Sequence, residues 1–323
     1  MSQRSVPRSG SLQYWPRKRA KKFLPRVSWK NIARQASEKK GLLGSIAYKA
    51  GMSSAVVKDN TPDSLTKGKK IIIPVTILEC PPVRILSVRF YKNGNVAKEI
   101  LNDSLDKSLK RKIKLPKKGN AKEQVENAEK ELDKYDDIKV IAYSLVGRTG
   151  LKKTPDLSEI ALAGTMAEKL QFAKSRLNGE ILFSEIFSRN SLVDARGVTQ
   201  GRGFQGPVRR FGISLRQHKS EKGTRRPGSL GPWHPSYVTF KIAMAGQTGF
   251  FTRMIPNLKV IDVKKAEKPL QMGAYGNIHT EYVIIRGSVQ GPSKRQLVLT
   301  APLRKTKRQE KKNFELISIR GFK

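Results

Sequence analysis

The run Val83-Arg84-Ile85-Leu86-Ser87-Val88-Arg89-Phe90-Tyr91-Lys92 alternates in character: Leu86, Val88 and Phe90 are apolar, and Ser87 and Arg89 between them are polar. A period of two sends alternate side chains to opposite faces of an extended chain, the pattern of a half-buried strand. Asn93-Gly94 follows at once and supplies a turn. Upstream, residues 70–79 form a second strand-like run, while Gly41, Gly44 and Gly51 are expected to mark further turns. Residues 41–100 therefore read as all-β and barrel-like. The same character returns after Tyr237, where Val238, Phe240 and Ile242 alternate, and strands are expected again over 258–263, 281–289, 296–301 and Phe314–Ile319.

Between these β segments, residues 101–178 read as an insertion with a nearly balanced charge. A helix is expected over 121–135, with Val125, Ala128, Leu132 and Tyr135 along one stripe. A strand over 138–143 and a second helix over 158–173, with Leu162, Met166 and Leu170 on one side, would complete a small α+β domain. Ile181, Phe183, Ile186 and Phe187 give a short helical pattern within 180–195. The chain is thus expected to be mainly β with an α+β insertion. It divides into a basic N-terminal arm (1–40), a first barrel part (41–100), the insertion (101–178) and a second barrel part (179–323).

Charge bounds the function. Among 323 residues, 65 are Lys or Arg and 26 are Asp or Glu, a formal net charge of +39. Such an excess repels itself in a compact fold unless a polyanion neutralises it. Nucleic acid fits, because each neutralised phosphate releases a counterion. A membrane partner is not expected, since no run approaches the roughly 18 apolar residues that span a bilayer. Met1-Ser2-Gln3-Arg4 opens no apolar signal region. Cys80 is the single cysteine, so no intrachain disulfide forms, a reducing compartment is expected, and the thiol reads as buried.

The positive charge is concentrated in segments without apolar periodicity. In the arm, Arg17, Lys18, Arg19, Lys21, Lys22 and Arg26 are interleaved with Tyr14, Trp15, Phe23 and Trp29. Residues 196–235 form a long Gly/Pro-rich finger with nine Arg or Lys against the single acid Glu221. Its cations are Arg196, Arg202, Arg209, Arg210, Arg216, Lys219, Lys222, Arg225 and Arg226. A structureless loop of this length belongs in a compact domain only if a partner orders it. Gly201, Gly203 and Gly206 let backbone approach phosphate or base closely. Trp233, held between Pro232 and Pro235, reads as a stacking ring, and His218 and His234 as donors to RNA. His279 reads as a turn residue. A third basic run covers 304–312.

Competing chemistries lack their context. Gly201-Arg202-Gly203-Phe204-Gln205-Gly206 matches the dinucleotide fingerprint, but Pro207, Gly212 and three arginines follow in place of a helical stripe. No kinase signature or Walker sequence accompanies it. The three histidines have no metal-ligand spacing, and the finger has almost no carboxylate to orient a catalytic base. Neither catalytic residues, metal nor cofactor are expected. A nucleotide-dependent enzyme and a nonspecific DNA binder remain as alternatives. The absence of a helix-turn-helix or zinc finger favours recognition of RNA by shape and phosphate.

Longer motifs point the same way. Gly197-Val198-Thr199-Gln200-Gly201-Arg202-Gly203-Phe204-Gln205-Gly206-Pro207-Val208-Arg209-Arg210 resembles the signature of universal large-subunit ribosomal protein three. So do Pro227-Gly228-Ser229-Leu230-Gly231-Pro232-Trp233-His234-Pro235 and Ala245-Gly246-Gln247-Thr248-Gly249. Gly10-Ser11-Leu12, Pro16-Arg17-Lys18-Arg19-Ala20, Tyr48-Lys49-Ala50-Gly51-Met52 and Pro74-Val75-Thr76-Ile77-Leu78-Glu79-Cys80-Pro81-Pro82 are similar to its archaeal and eukaryotic branch, and the length to archaeal members. The resemblance implies a six-stranded translation-protein-type barrel with an inserted α+β domain. It implies a cytoplasmic, ribosome-bound constituent of the 50S subunit that binds 23S rRNA near its 3′ end, early in assembly. It further implies a loop reaching toward the peptidyl transferase centre, with Trp233 near its tip, and contacts with ribosomal proteins fourteen and twenty-four-e.

Overall fold

The computed structural model describes residues 14–36, 40–116, 119–267 and 269–320. Residues 1–13 and 37–39 of the expected arm, with the Gly10-Ser11-Leu12 motif, lie outside the described residues. The strands are, in chain order, β1 (Gly41–Leu42), β2 (Gly44–Asp59), β3 (Lys70–Cys80), β4 (Val83–Lys92), β5 (Asn95–Leu101), β6 (Asp137–Ser144), β7 (Leu157–Ala163) and β8 (Leu192–Val198). They continue with β9 (Phe204–Gln205), β10 (Gly246–Gln247), β11 (Thr252–Lys265), β12 (Leu270–Met272), β13 (Gly276–Ile278), β14 (Glu281–Arg286), β15 (Gln296–Thr300) and β16 (Phe314–Ile319). Short helices are α1 (Trp29–Gln35), α2 (Ala121–Lys130), α3 (Met166–Arg176), α4 (Phe183–Ile186), α5 (Pro207–Phe211) and α6 (Lys307–Glu310). The protein is mainly β, as expected.

Among the described residues, contacts divide the chain into two compact units: 14–22 with 198–253, and 23–197 with 254–320. In the larger unit the main sheet runs β15-β8-β11-β14-β3-β2-β16, and β15 also pairs with β2. That last pairing, Thr300 opposite Gly44 through Gln296 opposite Tyr48, closes six of the seven strands into a ring and leaves β16 outside it on β2. Gly44 lies inside a strand and not in a turn. A Cβ there would meet the Leu299 carbonyl oxygen at 2.7 Å and the Trp29 ring at 2.9 Å, so the glycine serves close approach. Gly51 likewise sits at a register shift in the β2–β3 pairing, where the strand needs a bulge rather than a reversal. Asn93 and Gly94, both at positive φ, do form the expected turn between β4 and β5.

The second sheet runs β1-β7-β6-β4-β5. Val83–Lys92 was expected in the first barrel part, yet β4 pairs with β5 and β6, so this sheet begins well before residue 101. Seven of its ten residues are buried, Ser87 among them, so β4 is covered on both faces rather than half-buried as expected; alternation specifies a strand but not which sheet receives it or what covers its second face. Val88, Phe90, Val140 and Leu162 from this sheet share one buried cluster with Val283, Ile285, Leu297 and Leu299 from the main sheet. Two helical expectations change. Ala121–Lys130 is helical, but the expected last turn becomes a 3-10 segment at Leu132–Lys134. The helix expected over 158–173 is strand β7 for its first half. Thr165 then accepts from the Glu168 backbone N–H while Glu168 accepts from the Thr165 N–H, a capping box that starts α3 at Met166. The Cys80 thiol is buried, and burial raises its pKa.

Candidate nucleic-acid interface

The smaller unit gathers most of the predicted cations. Its described residues, 14–22 and 198–253, hold 15 Lys or Arg and one acid, Glu221. Arg17, Lys18, Arg19, Lys21 and Lys22 of the arm come together there with Arg202, Arg209, Arg210, Arg216, His218, Lys219, Lys222, Arg225, Arg226, Trp233 and His234. Arg26 and Arg196 fall in the larger unit. Arg196 belongs to β8, half-buried, with Nε 3.4 Å from Thr300 Oγ1, and burial lowers its pKa.

With one acid available, the unit is held by aromatic rings and backbone carbonyls. The Ala20 N–H donates to the Phe250 carbonyl at 2.9 Å, tying the arm to the chain just before β11. Arg253 donates to the Pro16 carbonyl at 2.8 Å and the Tyr14 carbonyl at 3.3 Å, and its guanidinium lies 4.8 Å from the Phe251 ring centroid. Arg17 lies over both Trp15 (5.1 Å) and Phe211 (5.2 Å). Arg210 donates to the carbonyls of Gln247 (3.1 Å) and Met244 (2.9 Å), pinning the returning chain beside α5. Arg216 closes the distal segment through the Pro227 carbonyl at 2.7 Å, and its N–H bonds Thr224 at 3.1 Å.

Burial, and then the nearby charge of Arg17, push the guanidinium pKa of both Arg210 and Arg253 down. The charge of Arg17 thus disfavours that of Arg210 and of Arg253, a cost that a polyanion removes. Lys18, Arg19, Lys21, Lys22, Arg202, Arg209, His218, Lys219, Lys222, Arg225, Arg226 and His234 are exposed.

The glycines separate by purpose. At Gly249 (φ +68) a Cβ would stand 1.9 Å from the Gln200 carbonyl oxygen, so protein packing forbids a side chain. At Gly201 it would touch Phe250 at 3.4 Å, and Gly203 has φ +67. At Gly206 a Cβ would meet nothing within 4 Å, so the space it leaves faces away from protein. The dinucleotide reading loses its last support here: Phe204–Gln205 pairs antiparallel with Gly246–Gln247, and only a five-residue helix follows.

Two expectations about aromatic residues change. Trp29 is buried in the core on α1 and donates from Nε1 to the Glu159 carbonyl at 2.9 Å, so it is not an exposed ring of the arm. The strand expected around Val238, Phe240 and Ile242 is absent: the chain turns, with Ile242 N–H bonded to Thr239 at 3.1 Å. No partner strand lies beside it among the described residues, and alternation without a partner does not hold a strand. Trp233 is 85% exposed. Phe204, Tyr237 and Phe240, which the sequence did not single out for RNA contact, are also exposed. Arg253 was missed as well; its signal was the flanking Phe250-Phe251 pair. No helix among the described residues is long and apolar enough to cross a membrane, and no cluster of His, Cys, Asp or Glu among them could hold a metal ion.

A cationic unit with exposed rings and no assembled acid–base pair suits a polyanion with accessible bases. The family model described as ribosomal protein L3 matches residues 1–320. The large ribosomal subunit protein uL3 of Methanobrevibacter smithii is 39% identical over 319 residues, covering 94% of each chain. That of Methanocaldococcus jannaschii is 38% identical, covering 92% of this chain and 91% of its own. That of Archaeoglobus fulgidus is 37% identical, covering 93% of each.

Proposed function

This chain belongs to the ribosomal protein L3 family and is a structural constituent of the large ribosomal subunit; on that premise we propose that it binds 23S rRNA near its 3′ end, nucleates 50S assembly and supports the peptidyl transferase centre through its basic loop. The observation that carries this reading is the 15-to-1 excess of bases over acids in residues 14–22 and 198–253. Carbonyls and rings hold that unit together, and thirteen of the predicted RNA-contacting side chains stay exposed in it.

In this reading Arg202, Arg209, Lys219, Lys222, Arg225, Arg226 and the arm cations contact phosphate. Trp233 stacks on a base, His218 and His234 donate hydrogen bonds, and Gly201, Gly203 and Gly206 admit the RNA backbone. Arg17, Arg210 and Arg216 shape the surface as well as charging it, while Arg26 and Arg196 add contacts from the larger unit. The six-strand ring serves as the translation-protein-type barrel and the five-stranded sheet as the inserted α+β domain. Ribosomal proteins fourteen and twenty-four-e are its neighbours in the assembled subunit. The protein performs no chemistry of its own; it acts as electrostatic glue that couples its own order to that of the RNA.

Binding of the full chain to a transcript of the 23S 3′ domain, titrated with salt against duplex DNA of equal length, tests this. Preference for the transcript with a steep salt slope is expected. Equal affinity for both would reduce the protein to a general polyanion binder, and failure to bind either would overturn the proposal.

A further inference from the structure

The loop unit contains a cleft that phosphate binding does not explain. It is lined by Trp15, Arg17, Arg210, Phe211, Thr239 and Phe240, among others, with a volume of about 370 Å³. We propose that this cleft receives one unstacked base of the bound RNA; the inference rests on the rRNA-binding reading above.

Pockets for small molecules run from about 300 to 1,000 Å³, so this one fits a single nucleobase and not a helix or a folded peptide. Its walls are aromatic but not closed: Phe240 is 60% exposed and Trp15 51% exposed. The two rings meet edge-on, with centroids 5.4 Å apart and planes at 65°. Arg17, 5.1 Å from the Trp15 centroid and 5.2 Å from that of Phe211, adds a second kind of stacking surface. Arg210 is fixed by its bonds to Met244 and Gln247, so the opposite wall is pre-formed.

Thr239 supplies a hydroxyl for a base edge, and none of the lining residues is acidic. Val238, Ile242 and Met244 complete the lining, and an apolar peptide would meet them but supply no charge for the two guanidinium groups. Paired RNA would fail to enter, because its bases are already stacked. An extruded base suits both features: its π face meets the rings, and the positive field of Arg17 and Arg210 favours its attached phosphate.

The test uses the full chain and three probes: a ten-nucleotide oligoadenylate, a ten-base-pair RNA duplex and the 23S 3′-domain transcript. Phe240→Ala is expected to weaken oligoadenylate binding about tenfold while leaving the duplex within twofold, and Phe240→Tyr to restore the difference. A single strand carrying 5-iodouridine should crosslink, on irradiation, to a peptide containing Trp15 or Phe240. Equal losses on single strand and duplex, or no loss on either, would overturn the cleft. If the wild-type protein binds the transcript while its single-strand affinity ignores Phe240, the cleft is wrong and the rRNA-binding reading stands. If the wild-type protein does not bind the transcript, both fall.

Discussion

In the five-stranded sheet, Arg84 reaches Asp106 at 3.3 Å and Glu180 at 2.8 Å, and Glu180 also holds Arg148 at 2.6 Å. Arg89 meets Glu99 at 3.0 Å and Glu159 at 3.5 Å, and Lys139 shares Glu159 at 3.2 Å. In the loop unit, Arg210, Arg216 and Arg253 spend their donors on backbone carbonyls, and Glu221 is the single acid against 15 bases. One region carries its own counter-charges and the other has almost none. Surface ion pairs are individually worth little, so the pairs of the five-stranded sheet matter chiefly because they neutralise. A neutralised surface suits solvent, and an unneutralised one suits phosphate.

The most drastic way to break this contrast is to remove the loop. The Thr199 N–H donates to the Phe251 carbonyl at 3.0 Å, so a few Gly-Ser residues can replace 199–251 without straining the strands that flank it. The change deletes nine Lys or Arg. Affinity for the rRNA transcript should fall at least about 100-fold at moderate salt, with a markedly flatter salt dependence, while the thermal midpoint of the remainder moves by only a few degrees. Unchanged affinity in filter binding would place the interface in the larger unit.

The converse cut is made at Glu79. This fully buried carboxylate accepts from the His279 N–H at 2.9 Å, the Thr280 N–H at 3.0 Å, the Thr280 hydroxyl at 3.0 Å and the Tyr275 hydroxyl. Glu79→Ala leaves those donors buried and unpaired, and should cost about 3 kcal/mol in denaturant unfolding. Below the transition, RNA affinity should stay within about twofold of wild type. A parallel loss of affinity would show that the two units are not energetically separate.

Acid sharpens the comparison further. Burial alone would raise the Asp59 pKa, but donation from Thr61, Thr66 and Ser64 outweighs it and holds the carboxyl at about 2, against an ordinary 3.8. A depressed folded-state value means that the stabilisation is complete above the unfolded value and is lost as the pH falls through about 2. Asp59→Asn should cost about 1–2 kcal/mol at neutral pH and less as the pH is lowered, followed by circular dichroism. An equal cost at pH 2 and pH 7 would show that the carboxylate's charge is not what holds the turn.

What was legible in the sequence follows the same division. Local patterns were enough for β4 and β16, since alternation and flanking turns act within one strand. The capping box at Thr165 and Glu168 was also local and could have ended the misread helix at its start. The partner of β4, the ring closure through β2 and β15, and the close contact that requires Gly44 are pairings between distant residues, which periodicity does not encode. In the loop, composition alone located a cationic region. It did not separate arginines that face outward from those that brace the loop, because that distinction depends on carbonyls distant in sequence, 11 residues away for Arg216 and more than 30 for Arg210.

Arg209 and Arg210 bring the contrast down to adjacent residues. Arg209 is exposed, whereas Arg210 is half-buried and bound to Met244 and Gln247, with its guanidinium 5.0 Å from the Phe211 centroid. If the outward cations bind phosphate, Arg209→Ala should weaken RNA binding about threefold, lower the salt slope by roughly 0.7–0.9, and leave the protease pattern of the loop unchanged. Arg210→Ala removes the same charge but also releases two carbonyls, so it should speed cleavage near residues 244–247 in the free protein. Arg210→Lys keeps the charge without the planar fork that reaches both carbonyls, so it should restore the salt slope but not the protease resistance. Identical behaviour of the two alanine variants in both assays would mean that this unit is a uniform cationic ribbon, with no bracing built into it.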